Sequence, residues 1–548
     1  MESSNRGSWD EPLYLDEHSQ ATPEGRNSRV NEDRVTAETV SYDRPVPPPV
    51  LLSTIDTYFK YCHNQPYSFF HEENFRRRLS EGSIPDHLLL AVLATAVRFS
   101  EDPFFKGNTW EASTFYANKS WKSIVASCFA RNETSNVMTV QTITLLAIFD
   151  FTAGHSRHGS AWVKVGLSVR IAQDLRLMMD ANTNISLADQ EERRRVFWSL
   201  YLLDRIVSCG RARPPAILEA SCQLQLPCDE DAWKAGVWQQ TDTLDQLSNK
   251  ALLNRDNIGP FALVVIMAYI LSRAAQYMLQ EYNIRSRDPP WDPNSDFASI
   301  SSDLLYIESQ FELQNPVKEL MTDNSKGKGT VDLTTYGLAV FSRALFYLCH
   351  CLLNHPFLLR HRLDISGTRP PETFLSRSFD FGRLCAKRLT RHLRDAQAAG
   401  CRLNASFYGY CAVVAGAIQA LYLHSTDKDI QRESIECVQL NLQTLEEVGE
   451  YWMNVSTMSD ALTQFSLDTS RFSILTSTEP EIPRLDQVDQ EIMWSLVDYS
   501  TMSNAVKLTE VYHSDLPPTM DTSLYSWLDL FSSEGIVLAE GGNFENQV

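Results

Sequence analysis

The chain is 548 residues long, more than one compact core usually holds, and its 43% hydrophobic and 22% charged residues are the balance of a soluble folded protein. A formal charge of −20 argues against an autonomous DNA-binding module, whose affinity rests on lysine and arginine neutralising phosphates. Eleven scattered cysteines, with no CxxC pair and no signal peptide before them, argue against a disulfide framework and point to a reducing, intracellular compartment.

Residues 1–46 hold ten acidic and five basic side chains, show no apolar period, and run into the proline-rich RPVPPPV. They read as a disordered acidic segment with a stiffened linker. Helical periodicity begins at residue 50. PDHLLLAVLATAVRFS at 85–100 is an apolar helix with proline at its first turn, and 110–130 and 137–154 continue the pattern. In 154–180, Trp162, Val165, Val169 and Ala172 share one face, and Leu167, Ile171, Leu175 and Met178 share another, so this helix is expected to be buried. After a polar connection at 234–258, helices are predicted over 259–283, 298–314, 331–354, 372–399, 404–424 and 428–452. The apolar window at 260–279 is interrupted by Arg273, which predicts a core helix and no transmembrane segment. No alternating strand pattern stands against these helices, and the predicted fold class is all-α, a multi-helix body over 47–478.

Residues 479–548 hold thirteen acidic against two basic side chains, which leaves the body close to neutral. Residues 491–508 read as a terminal helix. In 521–535, Tyr525, Trp527, Leu528, Leu530 and Phe531 alternate with acidic groups that keep them hydrated. That composition suits an activation segment that folds onto a coactivator groove, or else a C-terminal helix docking into the body.

The densest stretch is 186–233. Ser186 and Asp189 stand at capping spacing, followed by Glu191, Glu192, Arg193, Arg194 and Arg195. Val196, Phe197, Leu200, Leu203 and Val207 then form one apolar face, ended by Gly210 and Pro214-Pro215. Asp204 lies on that face and is expected to need an arginine, with Arg170 and Arg213 the leading partners. Arg205 shares a stripe with Trp198 and Tyr201, which predicts stacking or an interhelical ion pair. The arginine runs 76–78 and 193–195 have glutamates within a turn (Glu72, Glu73, Glu191, Glu192), so they are read as paired on solvated faces rather than as phosphate contacts. His155 and His158 lack further ligands at metal spacing, and Cys349-His350-Cys351 and Cys222/Cys228 suit core packing. Without a GxSxG, HExxH or GxGxxG motif, nothing points to an enzyme.

Taken together, Glu191 to Arg195, Trp198, Leu203-Asp204-Arg205, Gly210-Arg211, Arg213-Pro214, Ile217 and Leu226-Pro227 resemble the signature of the fungal-specific transcription factor domain, the middle homology region of fungal zinc-cluster transcription factors. The segments at 50–79, 154–180, LFYLCHCLLNHPFLLRHRL and LEEVGEYWMNVSTMSDALTQF resemble it as well; GRARPP departs from the usual plain GRP turn. The resemblance implies a nuclear transcription regulator. It makes 47–478 the regulatory domain and 479–548 a terminal helix with a candidate activation tail. It also implies DNA, a coactivator, a small-molecule effector and a second copy as partners. Zinc and DNA binding attach to no residue here, because no cysteine precedes Cys62; zinc is expected only if a six-cysteine cluster lies upstream of this chain. The candidate effector pocket is Trp162, Arg170, Trp198, Tyr201 and Arg205, between the helices at 160–179 and 189–209. The alternatives are a DNA-binding-deficient co-regulator working through protein partners and, more remotely, a helical accessory protein of an enzyme pathway.

Overall fold

The computed structural model describes residues 46–502 apart from 106, 131–133, 155–156, 182–183, 249–254, 281–287, 312 and 316–332. In chain order the helices are α1 Pro48–Tyr61, α2 Glu72–Ser80, α3 Asp86–Ala96, α4 Thr109–Val125, α5 Val137–Thr152, α6 His158–Asp174 and α7 Leu187–Val207. They continue with α8 Glu230–Lys234, α9 Leu244–Ser248, α10 Pro260–Met278, α11 Asp296–Phe311, α12 Leu333–Leu353, α13 Pro356–Ser366 and α14 Glu372–Ala398. The last are α15 Phe407–Ala420, α16 Lys428–Gly449, α17 Met453–Leu467, α18 Gln487–Ser495 and α19 Tyr499–Met502. Among the described residues the sole β feature is one isolated bridge, Gln225 with Thr243. The protein is all-α.

Local chemistry sets the helix starts. Pro85 precedes α3, and proline opens α1, α10 and α13, where a missing N–H costs nothing. Asn136 and Thr139 form a reciprocal capping box at α5. Burial then sorts the helices. From Thr139 to Thr152, α5 is buried on every side, as is the whole of α15 from Phe407 to Ala420. α10 and α12 are long and apolar enough to cross a membrane, yet they are mostly buried inside the body and pack on each other. Arg273 is accommodated within α10 by Asp303 and Ser299 of α11. α17 lies so close to α15 that a Cβ on Gly416 would stand 2.5 Å from Leu462 Cδ2.

Two boundaries differ from the sequence reading. The body does not end at 478: Tyr499 packs on Phe151, Phe407 and Tyr410, and Trp494 on Phe357. Over the described part of the single helix expected at 491–508, the chain instead forms α18 and α19, broken at Asp498; 503–508 lie outside the described residues. The Asp498 side chain accepts from the backbone N–H groups of Ser500 and Thr501, so it caps a new start rather than continuing the old helix. Tyr525, Trp527, Leu528, Leu530 and Phe531 lie outside the described residues.

Candidate functional site

α7 positions the signature residues. Ser186 Oγ accepts the Asp189 N–H at 3.1 Å and donates to its carboxylate at 2.6 Å, fixing the first turn. The helix lies against α5, α6 and α10, and from Arg194 to Val207 every residue is buried. Its charged opening is therefore inside the protein, contrary to the solvated face expected from sequence. The glutamates within a turn do pair with the arginines, but the sets of partners are completed from distant segments.

Arg195 is fully buried. Its Nε donates to Glu191 Oε1 at 3.0 Å, Nη1 to Glu230 Oε1 at 2.6 Å and to Ser68 Oγ at 3.0 Å, and Nη2 to the Cys228 carbonyl at 2.8 Å. The guanidinium lies 3.9 Å from the centre of the Trp233 ring. Burial alone would lower its affinity for a proton; Glu230 and Glu191 outweigh that and hold it above the ordinary arginine value. Arg194 donates to Glu191 at 2.6 Å and Asp180 at 2.9 Å. Glu192, also buried, accepts from Arg78 at 3.0 Å, from Gln141 at 3.2 Å and from the His71 N–H at 3.1 Å. Arg193 reaches the Leu175 carbonyl at 3.2 Å, closing the end of α6. The network thus joins α2, α5, α6, α7 and α8. Of the earlier arginine run, Arg76 pairs with Glu72 and Asp56 and Arg77 with Glu81 on the surface, whereas Arg78 turns inward to Asp189 and Glu192.

Asp204 is buried as expected on the apolar face, but neither Arg170 nor Arg213 is its partner. Its carboxylate accepts the N–H groups of Ala216, at 2.9 and 3.1 Å, and Ile217, at 3.0 Å, with Arg205 at 3.8 Å. The carboxylate ties the loop that follows α7 back onto the helix. Burial pushes its proton affinity up, partly offset by Arg205 and the two N–H donors. Arg205 stacks over Tyr201 at 4.3 Å, and donates to the Ile217 carbonyl and to Ser272 Oγ. Trp198 meets Tyr201 edge-on at 5.3 Å and donates to the Gln225 carbonyl at 2.8 Å, in the strip ended by buried Leu226 and Pro227.

The five residues expected to line an effector pocket are not brought together. Trp198, Tyr201 and Arg205 form a closed stack; Trp162 takes Arg213 over its ring at 4.7 Å; Arg170 is exposed and bonds Gln173. Pro214 is exposed in the loop. A cavity of about 40 Å³ lies elsewhere, among Tyr58, Phe69, Phe151, Phe407, Trp452 and Tyr499. Neither it nor Glu230 was found from sequence. For Glu230 the signal was an acidic run, Asp229 to Asp231, set between apolar Cys228 and Trp233; for the cavity there was none, because its walls come from segments as far apart as Tyr58 and Tyr499.

Gly210 and Arg211 hold the C-terminal segment. A Cβ on Gly210 would stand 2.5 Å from Asp498 Oδ1 and 2.6 Å from Ser500 Oγ. The Arg211 N–H donates to Asp498 Oδ2 at 3.2 Å, and its guanidinium grips Glu491 at 2.9 and 3.1 Å over the ring of Trp494. The Tyr499 N–H donates to the Cys209 carbonyl at 2.9 Å.

The cysteines of this chain do not fit a zinc cluster. A two-zinc site needs closely spaced thiolates facing the metals. Here Cys209, Cys349, Cys351 and Cys411 are buried in helical packing, where burial pushes their thiols up, and no group of metal-binding side chains occurs among the described residues.

A family model described as the fungal specific transcription factor domain matches residues 55–331, which include the whole ionic network. Among curated proteins, the chain is similar to the Zn(2)-C6 fungal-type transcription factor FTF1c of Fusarium oxysporum f. sp. lycopersici, 25% identical over 419 residues, covering 72% of this chain and 43% of the relative. It is also similar to FTF1a of the same organism, 25% identical over 72% of this chain and 37% of the relative. A third relative is an uncharacterized transcriptional regulatory protein of Schizosaccharomyces pombe, 27% identical over 51% of this chain and 31% of the relative. The chain spans less than half the length of each of these relatives.

Proposed function

Because the chain belongs to the fungal-specific transcription factor domain family, we propose that it is a nuclear transcription regulator whose helical body receives a metabolite or protein input and controls transcription of target genes. The observation that carries the reading is the family match over 55–331, whose signature residues are the structural centre of the body rather than a reactive site. The buried arginines are spent on internal carboxylates, so they are not offered to phosphate. The body transmits; it does not catalyse.

DNA contact comes to this chain from the relatives' printed description as Zn(2)-C6 factors, and the cysteines present do not build that cluster. A second reading is a co-regulator that reaches its genes through a partner protein. A mobility-shift assay with this polypeptide at physiological salt separates the two: sequence-specific binding would sink the co-regulator reading. The output is assigned to Tyr525, Trp527, Leu528, Leu530 and Phe531, whose acidic surroundings suit a coactivator groove. A reporter carrying residues 509–548 on a heterologous DNA-binding module should be activated; a silent reporter would remove the activation role from this tail.

A further inference from the structure

Arg77-Arg78-Leu79-Ser80 and Lys387-Arg388-Leu389-Thr390 each set a hydroxyl after the same run of two basic residues and a leucine. The structure treats the two hydroxyls differently. Thr390 is 1% exposed inside α14, where its Oγ1 donates to the Ala386 carbonyl at 3.0 Å and accepts from Asn441 Nδ2 at 2.8 Å. Ser80 is exposed at the end of α2, and its Oγ donates to the Arg77 carbonyl in its own turn at 2.7 Å. Arg76 lengthens the basic run before Ser80 to three arginines. Arginines two, three and four residues ahead of a hydroxyl suit an enzyme groove lined with carboxylates, which each guanidinium can meet with charge-assisted bonds. Arg76 and Arg77 can be drawn into such a groove, because their pairs with Glu72, Asp56 and Glu81 lie on the surface and hold weakly.

The turn that carries Ser80 is easily opened. Phe75 is the one buried residue of α2, a helix of 9 residues, and a helix so short is marginal without packing. Ser80 to Ser83 are exposed, and Gly82 closes the helix at φ +65° with nothing within 4 Å of where a Cβ would stand. The last turn is tied to the body by Arg78, which donates to Asp189 at 2.6 Å and to Glu192 at 3.0 Å on α7.

We propose that Ser80 is a phosphorylation site for an arginine-directed protein kinase, and that its phosphate loosens the hold of Arg78 on the start of α7. The Ser80 oxygen takes the terminal phosphoryl group of a magnesium-bound nucleoside triphosphate. An O–P bond forms at Ser80, the bond to the nucleoside diphosphate breaks, and the hydroxyl proton passes to the kinase's base. On a helix the phosphate faces Arg77 and Arg76, three and four residues back. Its charge of about −1.5 to −2 draws Arg77 away from Glu81. Glu81 is then left unpaired beside a second anion at the C-terminal end of α2, where the helix dipole is also negative. The turn opens, and Arg78 goes with it.

The purified full chain, incubated with magnesium-ATP and the catalytic subunit of cyclic-AMP-dependent protein kinase, tests the site by mass spectrometry. One phosphate should appear on Ser80 and none on Thr390. Arg77→Gln should slow the reaction at least about tenfold, the loss of one charge-assisted contact. A free peptide of residues 74–83 is the reference for accessibility. Phosphate on the peptide but not on Ser80 of the folded chain would overturn the proposal, as would phosphate on neither. Hydrogen exchange of the fully phosphorylated chain tests the consequence. Amides at 79–82 and 190–192 should exchange at least about tenfold faster than in the unmodified chain. Arg78→Gln alone should reproduce the change at 190–192, and phosphorylating that variant should add nothing there. Unchanged protection at 190–192 in the phosphorylated chain would sink the link to α7.

Discussion

Arg195 Nη1 and Glu230 Oε1 stand 2.6 Å apart with both side chains buried, and this pair bolts α7 to α8 across 35 residues of sequence. The pair cannot be judged alone. Arg195 also neutralises Glu191 at 3.0 Å, so losing the guanidinium strands two carboxylates away from water. Stranding a buried charge costs about 3–5 kcal/mol, far more than breaking a surface pair. Arg195→Met should therefore destabilise the body by at least about 3 kcal/mol in urea unfolding. Glu230→Leu in the same chain should recover part of that loss, because one stranded carboxylate is gone. A double variant as unstable as the sum of the single ones would show that the two residues are not coupled.

Asp204 gives a second prediction, on the loop rather than the network. Asp204→Ala leaves the buried Ile217 N–H without its acceptor, at roughly 1–3 kcal/mol, and takes the carboxylate from the Ala216 N–H, whose residue is exposed and can turn to water at less cost. Asp204→Asn keeps one acceptor oxygen, so it should lose about half as much. Hydrogen exchange at 216 and 217 is the direct readout. Both amides should become fast in Asp204→Ala while the core of α10 stays protected; unchanged protection at those two amides would mean that something else holds the loop.

These two sites show what was legible in the sequence. The helices were, because α3, α5, α7, α10 and α15 repeat their apolar residues at helical spacing and start at prolines or capping side chains. The burial of Asp204 was legible for the same reason. Its partners were not: two backbone N–H groups leave no mark in a sequence, whereas arginines do, and so Arg170 and Arg213 looked like the answer. The arginine triplet misled in the opposite way. Glutamates within one turn suggested a solvated face, since the carboxylates and rings that bury it, Glu230, Asp180 and Trp233, arrive from outside any local window. The short α13 and the separate α17 were hidden by their neighbours' periodicity, and the break at Asp498 by an apolar pattern that runs through it.

Gly210 tests the hold on the C-terminal segment. Its φ is not the reason for glycine; the reason is Asp498 and Ser500, which stand where a Cβ would go. Backbone-adjacent overpacking of this kind costs about 1–3 kcal/mol. Gly210→Ala should free α19 before the rest of the body loosens, seen as faster amide exchange at Tyr499–Met502 and earlier proteolytic clipping there. If global unfolding and loss of α19 occur together, the segment is an integral part of the core and not a separable strap.

The last prediction concerns acid. His350, His355 and His392 are buried, and burial pushes their proton affinities down, to about 4 for His350 and His392 and about 3 for His355. His392 is kept neutral in a defined role, bonding the Val340 carbonyl through Nε2 at 2.9 Å. Unfolded histidine takes its proton near pH 6.5. The folded value lies below the unfolded one, so the contribution to stability is complete above pH 6.5 and is lost as pH falls from there toward 4. Over that window each histidine tilts stability by about 1.4 kcal/mol per pH unit, and together they should make the body cooperatively acid-labile between pH 6 and 4. Replacing His392 by Gln, which can still donate to Val340, should remove about one proton from the slope of unfolding free energy against pH. An unchanged slope would mean that His392 is already protonated in the folded body.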